Sequence, residues 1–220
     1  MTTPVVTVAI IVLNVLAFFF EQSLGPEALD TFLARWGFVP GEFSWVTIFS
    51  SMFLHGGIWH LLGNMWSFWI FGDNVEDRLG HVRYLAFYLV CGALAALAHA
   101  WSAPVSMVPT IGASGAIAGI MGAYLVLYPQ SRVLTAIFLV FYFNIVEIPA
   151  IVFLGFWFFL QLVSGVGALA ASAGDVGGIA FWAHVAGFIA GAALVKLVAR
   201  PVPPEWWDQL GSHPPTRVDS

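Results

Sequence analysis

The sequence predicts an all-α fold, a polytopic membrane bundle of six transmembrane helices. Three observations point to it. Hydrophobic residues make up 60% of the 220 residues and charged residues 9%, against about 25% charged in a soluble domain. The apolar residues fall in runs approaching the 20 or so that a spanning helix needs, fewer where an end is buried in protein. The few charges gather between these runs and at the C-terminus. Residues 1–200 read as one membrane domain and residues 201–220 as a polar cytoplasmic tail carrying Trp206-Trp207.

Helices are predicted near 4–21, 57–74, 84–102, 114–128, 146–164 and 179–199. The first run lacks a basic flank and a small-residue cleavage site, so it reads as a retained helix rather than a signal peptide. Residues 22–56 carry Arg35 with Trp36, Phe38, Phe43 and Trp45. This loop is too apolar to be merely solvated and is expected to dip into the membrane interface. Residues 129–145 hold Pro129, Arg132 and an aromatic run from Phe138 to Phe143. They could extend the fourth helix, begin the fifth or lie at the interface.

Six spans put Arg78, Arg83, Arg132, Lys196, Arg200 and Arg217 on one side and only Arg35 on the other. The positive-inside rule then places both termini in the cytoplasm. Under this topology the second, fourth and sixth helices all run inward. His60 near the outer end of the second, Ser114 at the start of the fourth and His184 near the start of the sixth then share one level, toward the outer face.

Polar residues inside apolar spans usually face a cavity, pair with one another or do chemistry. Ser114 stands in Gly112-Ala113-Ser114-Gly115 at a loop-to-helix junction. Glycine permits a tight turn there, and a helix start offers unpaired N–H groups with partial positive charge. Alone, Ser114 reads as readily as a helix N-cap. His184 alone could be a packed histidine bonded to a carbonyl. His60 and Asn64, four apart on one helix face, could be an interhelical hydrogen-bond pair. Together they supply a nucleophile, a base and two donors for an oxyanion at one depth. Gly115 and Gly119, and Gly187 and Gly191, are spaced four apart, a pattern that lets helix backbones approach closely in lipid. Asp175 and Glu147 are the nearest candidates for a third triad member and neither fits in position, so a Ser–His dyad is expected. Glu76, Asp77 and Arg78 read as structural, and His55, His81, His99 and His213 fit no site. One cysteine and scattered histidines give no metal-ligand spacing, no basic stripe suits nucleic acid, and no cofactor is expected.

These residues resemble the rhomboid family of intramembrane serine proteases. The likeness rests on His60-Leu61-Leu62-Gly63-Asn64, on Gly112-Ala113-Ser114-Gly115, and on Ala183-His184 followed by Gly187 and Gly191. Gly72, Glu76 and Gly80 are also similar, and the likeness spans roughly residues 5–199. It implies that Ser114 is the nucleophile and His184 the general base. The Ser114 N–H, His60 and Asn64 would form the oxyanion hole. The first loop would be half-submerged, and the fifth helix would flank substrate entry. Substrates would be transmembrane segments of other proteins, and the setting a plasma or inner membrane with the site opening to the outer face. Some members stack a tyrosine on the histidine from one turn after the nucleophile. Here that position is Ala118, leaving Trp182, or no aromatic, to orient His184. Two rival readings are a transporter and a non-proteolytic rhomboid-like protein that binds membrane proteins as an adaptor.

Overall fold

The computed structural model describes residues 3–139, 142–170 and 180–200. Six helices form the bundle: α1 (Val5–Ser23), α4 (Ile58–Leu79), α5 (His81–Ser102), α6 (Ser114–Leu127), α7 (Ala150–Ala170) and α8 (Phe181–Val198). Of these, α1, α5, α7 and α8 are long and apolar enough to cross a membrane. The 22-residue α4 is interrupted by Asp73, Glu76, Asp77 and Arg78 near its end, and α6 is apolar but only 14 residues long.

The long first connection is more regular than the expected dipping loop. It contains α2 (Pro26–Trp36) and α3 (Trp45–Ser50). Proline at the start of α2 and Arg35 in its last turn are favourable terminal residues. Trp36, Phe43, Trp45 and Phe49 are exposed, an apolar surface suited to an interface.

The ambiguous segment after the fourth bundle helix neither extends that helix nor begins the next. It forms two antiparallel strands, β1 (Arg132–Leu139) and β2 (Tyr142–Pro149), paired from Arg132 with Pro149 to Leu139 with Tyr142. The run is rich in β-branched and aromatic residues, which favour strands. This pair is an addition to the all-α bundle, and it moves the start of α7 from the expected 146 to Ala150. Its base is pinned where the Ala150 N–H donates to the Ser131 carbonyl at 2.7 Å. The tail 201–220, with Trp206, Trp207 and His213, and Asp175 lie outside the described residues.

The centre of the bundle is α6. Every residue from Ala116 to Tyr124 is buried, as expected of a helix that is apolar on all faces. Its partner along the whole seam is α8. A Cβ on Gly187 would strike the Gly115 carbonyl, one on Gly191 the Gly119 carbonyl, and one on Gly122 the Phe188 carbonyl. On its other side, α6 lies against α5, where a Cβ on Gly115 would come within 2.7 Å of Ala95 Cβ. Bare backbones therefore touch, which side chains at these positions would prevent.

A second tie joins α4 to α1. The first-turn N–H groups of a helix have no intrahelical acceptor. Here the Glu76 carboxylate accepts from the N–H groups of Val6 and Thr7, each at 2.8 Å, and from Thr7 Oγ1 at 2.7 Å. His81 Nδ1 lies 2.6 Å from the same carboxylate. Arg78 and Arg83 reach the backbone carbonyls of Arg200 and Val198 at the end of α8, so four basic residues, with Lys196, gather at one end of the bundle.

The seam is open to test. Gly191→Ala should lower the thermal unfolding midpoint of the detergent-solubilised protein, because overpacking costs about 1–3 kcal/mol. Gly155→Ala on α7, whose new Cβ would meet nothing within 4 Å, should not lower it, since alanine is the better helix former. Equal midpoints for the two variants would show that the α6–α8 contact is looser than described.

Candidate active site

Residues Phe38 and Thr110 exchange backbone hydrogen bonds at 3.0 and 2.8 Å, tying the chain before α6 to the first connection. His99 Nε2, near the end of α5, lies 2.9 Å from Thr110 Oγ1. The Gly112 N–H donates to the Ser51 carbonyl at 2.9 Å. Gly112 itself takes φ +127°, a conformation open to glycine and strained for other residues. These ties turn the chain sharply into α6, and Ser114 is its first residue. Ala113 occupies the cap position and no side chain caps the helix, so Ser114 does not serve as an N-cap. Its Oγ points elsewhere.

That target is His184. Its Nε2 is 2.7 Å from Ser114 Oγ, a short contact for a hydroxyl donating to an imidazole nitrogen. The two residues come from helices held together by the glycine seam. Ser114 directly precedes Gly115, and His184 lies three residues, about one turn, before Gly187. The structure thus brings together the glycines spaced around Ser114 and His184. Gly115, Gly119, Gly187 and Gly191 form the seam, and Gly112 forms the turn.

The other ring nitrogen, Nδ1, is 2.9 Å from Oε1 of Gln161 on α7. Trp157, one turn earlier on α7, faces the imidazole with ring centroids 6.0 Å apart and planes 36° apart. Neither residue was singled out in the sequence. The aromatic against His184 is Trp157 and not Trp182, which packs on Gly165 instead. A signal for Gln161 existed: a carboxamide within the apolar run of α7, four residues after a tryptophan.

His60 and Asn64 on α4 stand beside the turn that leads to Ser114. A Cβ on Gly112 would lie 2.9 Å from His60 Nε2 and 3.7 Å from Asn64 Nδ2. The missing side chain at Gly112 is what leaves both groups their place. Asn64 Nδ2 is 3.0 Å from Nε2 of buried His55. A neutral ring at His55 accepts one amide proton there and leaves the second amide hydrogen of Asn64 for another acceptor. Three of the four histidines that fitted no site in the sequence are therefore accounted for: His55 holds Asn64, His99 holds Thr110 and His81 holds Glu76. Glu147 lies on β2, paired with Arg132 at 3.4 Å, remote from Ser114.

Ser114, His184, His60, Asn64 and Gly112 line one cavity of about 430 Å³. Among the described residues no cluster of side chains suits a metal ion. The arrangement offers a hydroxyl aligned on a base and polar groups from α4 beside the hydroxyl's backbone. Such a set can carry out nucleophilic attack on a carbonyl and hold the oxyanion that forms.

A model of the rhomboid domain matches residues 42–201 of the chain. The chain is also similar to the rhomboid protease GluP of Bacillus subtilis, 31% identical over 195 residues that cover 87% of this chain and 35% of that protein. The putative rhomboid protease YdcA of the same organism is 34% identical over 125 residues, 56% of this chain and 61% of that protein. The mitochondrial rhomboid protein 1 of Saccharomyces cerevisiae is 33% identical over 97 residues, 42% of this chain and 28% of that protein. The chain spans less than two thirds of the length of each.

The turn before Ser114 can be probed by Gly112→Ala. A left-handed backbone and a Cβ 2.9 Å from the His60 ring should displace His60 and the turn together. Displacements near 1 Å can cost about 10²-fold in rate, so reaction of Ser114 with a fluorophosphonate should slow by at least about tenfold. An unchanged rate would show that His60 need not lie against this turn.

Proposed function

The chain belongs to the rhomboid family, and from that premise we propose that it is an intramembrane serine endopeptidase with Ser114 as nucleophile and His184 as general base. Its substrates are transmembrane segments of other membrane proteins. The observation that carries this reading is the 2.7 Å contact between His184 Nε2 and Ser114 Oγ.

In this mechanism Ser114 Oγ attacks the scissile carbonyl carbon while His184 Nε2 takes its proton. The tetrahedral oxyanion accepts hydrogen bonds from the Ser114 N–H, His60 and Asn64. His184 then gives the proton to the leaving amine, and water hydrolyses the acyl-enzyme by the same route in reverse. The oxyanion donors act on charge that exists only beyond the ground state, the most productive place for binding energy. A helical substrate hides its carbonyls in its own hydrogen bonds, so the segment must unwind before cleavage. Gly or Pro in the substrate helix and a small residue before the scissile bond favour that step. The exposed flank of α7, with Phe156, Phe159 and Val163, is the side from which a lipid-borne helix approaches.

The reading extends to orientation. Basic residues gathered at one end of the bundle support a cytoplasmic setting for that end and for both termini. The cavity at the start of α6 then opens to the outer face.

A fluorophosphonate tests the nucleophile directly: an Oγ–P bond forms, fluoride leaves, and the hydroxyl proton passes to His184. Wild-type protein should be labelled at Ser114. Ser114→Ala should lose both labelling and cleavage of a transmembrane reporter while staying folded, since it gives up one hydrogen bond worth about 0.5–1.5 kcal/mol. Cleavage retained in purified Ser114→Ala would overturn the mechanism.

Orientation is tested with single cysteines in a Cys91→Ser background and a membrane-impermeant thiol reagent on intact cells. Pro104→Cys should be labelled and Arg132→Cys should not. The reverse pattern would put the opening on the cytoplasmic side.

A further inference from the structure

We infer that Gln161 of α7 is a positioning residue for His184, taking the place of a carboxylate as the third member of a Ser114–His184–Gln161 relay. The inference rests on the serine-protease reading above. It begins from the 2.9 Å contact between Gln161 Oε1 and His184 Nδ1, at the opposite ring nitrogen from Ser114.

A neutral imidazole carries one proton on one of two nitrogens. To accept the Ser114 proton, Nε2 must be bare, so the proton must sit on Nδ1. A carboxamide oxygen is only an acceptor. With Gln161 Oε1 facing Nδ1, the Nδ1–H form gains a hydrogen bond and the Nε2–H form sets two acceptors against each other. The contact therefore selects the tautomer that can act as a base. The Nδ1 proton stays on the ring throughout. When Nε2 takes the serine proton, the ring becomes an imidazolium and its bond to Gln161 becomes charge-assisted, hence stronger. An interaction that strengthens as charge develops lowers the barrier rather than merely tightening the resting state.

The residue type suits the place. An ionised carboxylate buried in an apolar bundle carries a desolvation cost of several kcal/mol or more, whereas an amide that is hydrogen-bonded does not. Gln161 supplies direction without charge. Trp157, one turn away on the same face of α7, closes over the imidazole and restricts the ring to the plane in which Nδ1 meets Gln161. Both contacts come from one helix, so the position of α7 sets the state of the base.

Two variants of Gln161 and two readouts test this. Gln161→Leu removes the acceptor at similar volume and Gln161→Glu keeps it. The first readout is fluorophosphonate inactivation, resolved into a maximal rate and a half-saturating concentration. Gln161→Leu should lower the maximal rate about ten- to a hundredfold with the half-saturating concentration unchanged. Gln161→Glu should keep the rate within a few-fold at neutral to alkaline pH. The second readout is ¹⁵N NMR of histidine-labelled protein, the His184 signals being those lost in His184→Ala. Wild type should show the Nδ1–H tautomer, and Gln161→Leu should lose that preference.

A wild type that is labelled at Ser114, with Gln161→Leu labelled equally fast, would overturn the inference and leave the protease reading intact. A wild type that resists labelling would overturn that reading, and the tautomer measurement would still decide the role of Gln161. A wild-type Nε2–H tautomer would overturn the inference outright. If Gln161→Leu fails to fold, the wild-type tautomer decides: with a residue that merely joins helices the ring would show no preference for the Nδ1–H form.

Discussion

The contact of bare backbone on bare backbone between α6 and α8 governs the rest of this molecule. Lipid tails are as apolar as leucine, so no hydrophobic force pulls helices together within a bilayer. Close van der Waals contact must do that work, and it grows only when side chains are absent. Gly187 against the Gly115 carbonyl and Gly191 against the Gly119 carbonyl provide two such contacts, one turn apart. Ser114 and His184 stand at the end of this seam. A 2.7 Å hydrogen bond has no slack to absorb an added methyl group between the two helices. The seam is thus both the main packing contact and the ruler that sets the spacing of the pair.

Much of this was legible because polar residues in apolar runs are conspicuous. Ser114, His184, His60 and Asn64 announce themselves that way, and the four-residue spacing of the glycines announces the seam. What escaped did so for physical reasons. Trp182 is nearer to His184 in sequence than Trp157 is, but residues two apart on a helix do not face each other. The aromatic that meets the imidazole comes from another helix, and sequence distance says nothing of it. Gln161 carried the same signal as the other polar residues, yet its partner lies 23 positions away. His55 and His99 were silent because Asn64 and Thr110 meet them only once the connecting chain has folded back. The strands β1 and β2 were hidden in a short apolar run whose period fits helix or strand equally.

The length of α6 bears on depth. Fourteen residues rise about 21 Å, against a hydrocarbon layer of about 30 Å. One end of α6 must stop within the layer, and backbone there has to be covered by protein or line a cavity. Under the proposed orientation that end is the one at Ser114, and the segment before it meets the demand. Thr110 pairs with Phe38, Gly112 pairs with Ser51, and the 430 Å³ cavity lies alongside. The first connection, with its short helices, is therefore not decoration on the bundle. It supplies the acceptors that let the chain end a helix below the surface.

A cavity at that depth imposes a further constraint on its walls. Each polar group there needs a partner, and each charge would need more than one. The solution in this chain is a set of neutral pairs: His55 with Asn64, His99 with Thr110, and Gln161 with His184 and Ser114. Among the described residues, none lining the cavity is an aspartate or a glutamate. Among the described residues two glutamates are buried: Glu76, near the far end of α4, caps α1, and Glu21 accepts from the His55 N–H at 3.2 Å. Charge is thus kept where backbone N–H groups can hold it. The cavity wall around Ser114 is left without a carboxylate, so under the proposed mechanism the first full charge to appear beside the serine is the one that reaction creates. In the proposed mechanism the donors beside Ser114 act on that charge around a low-dielectric void, with no cavity-lining carboxylate to compete for them.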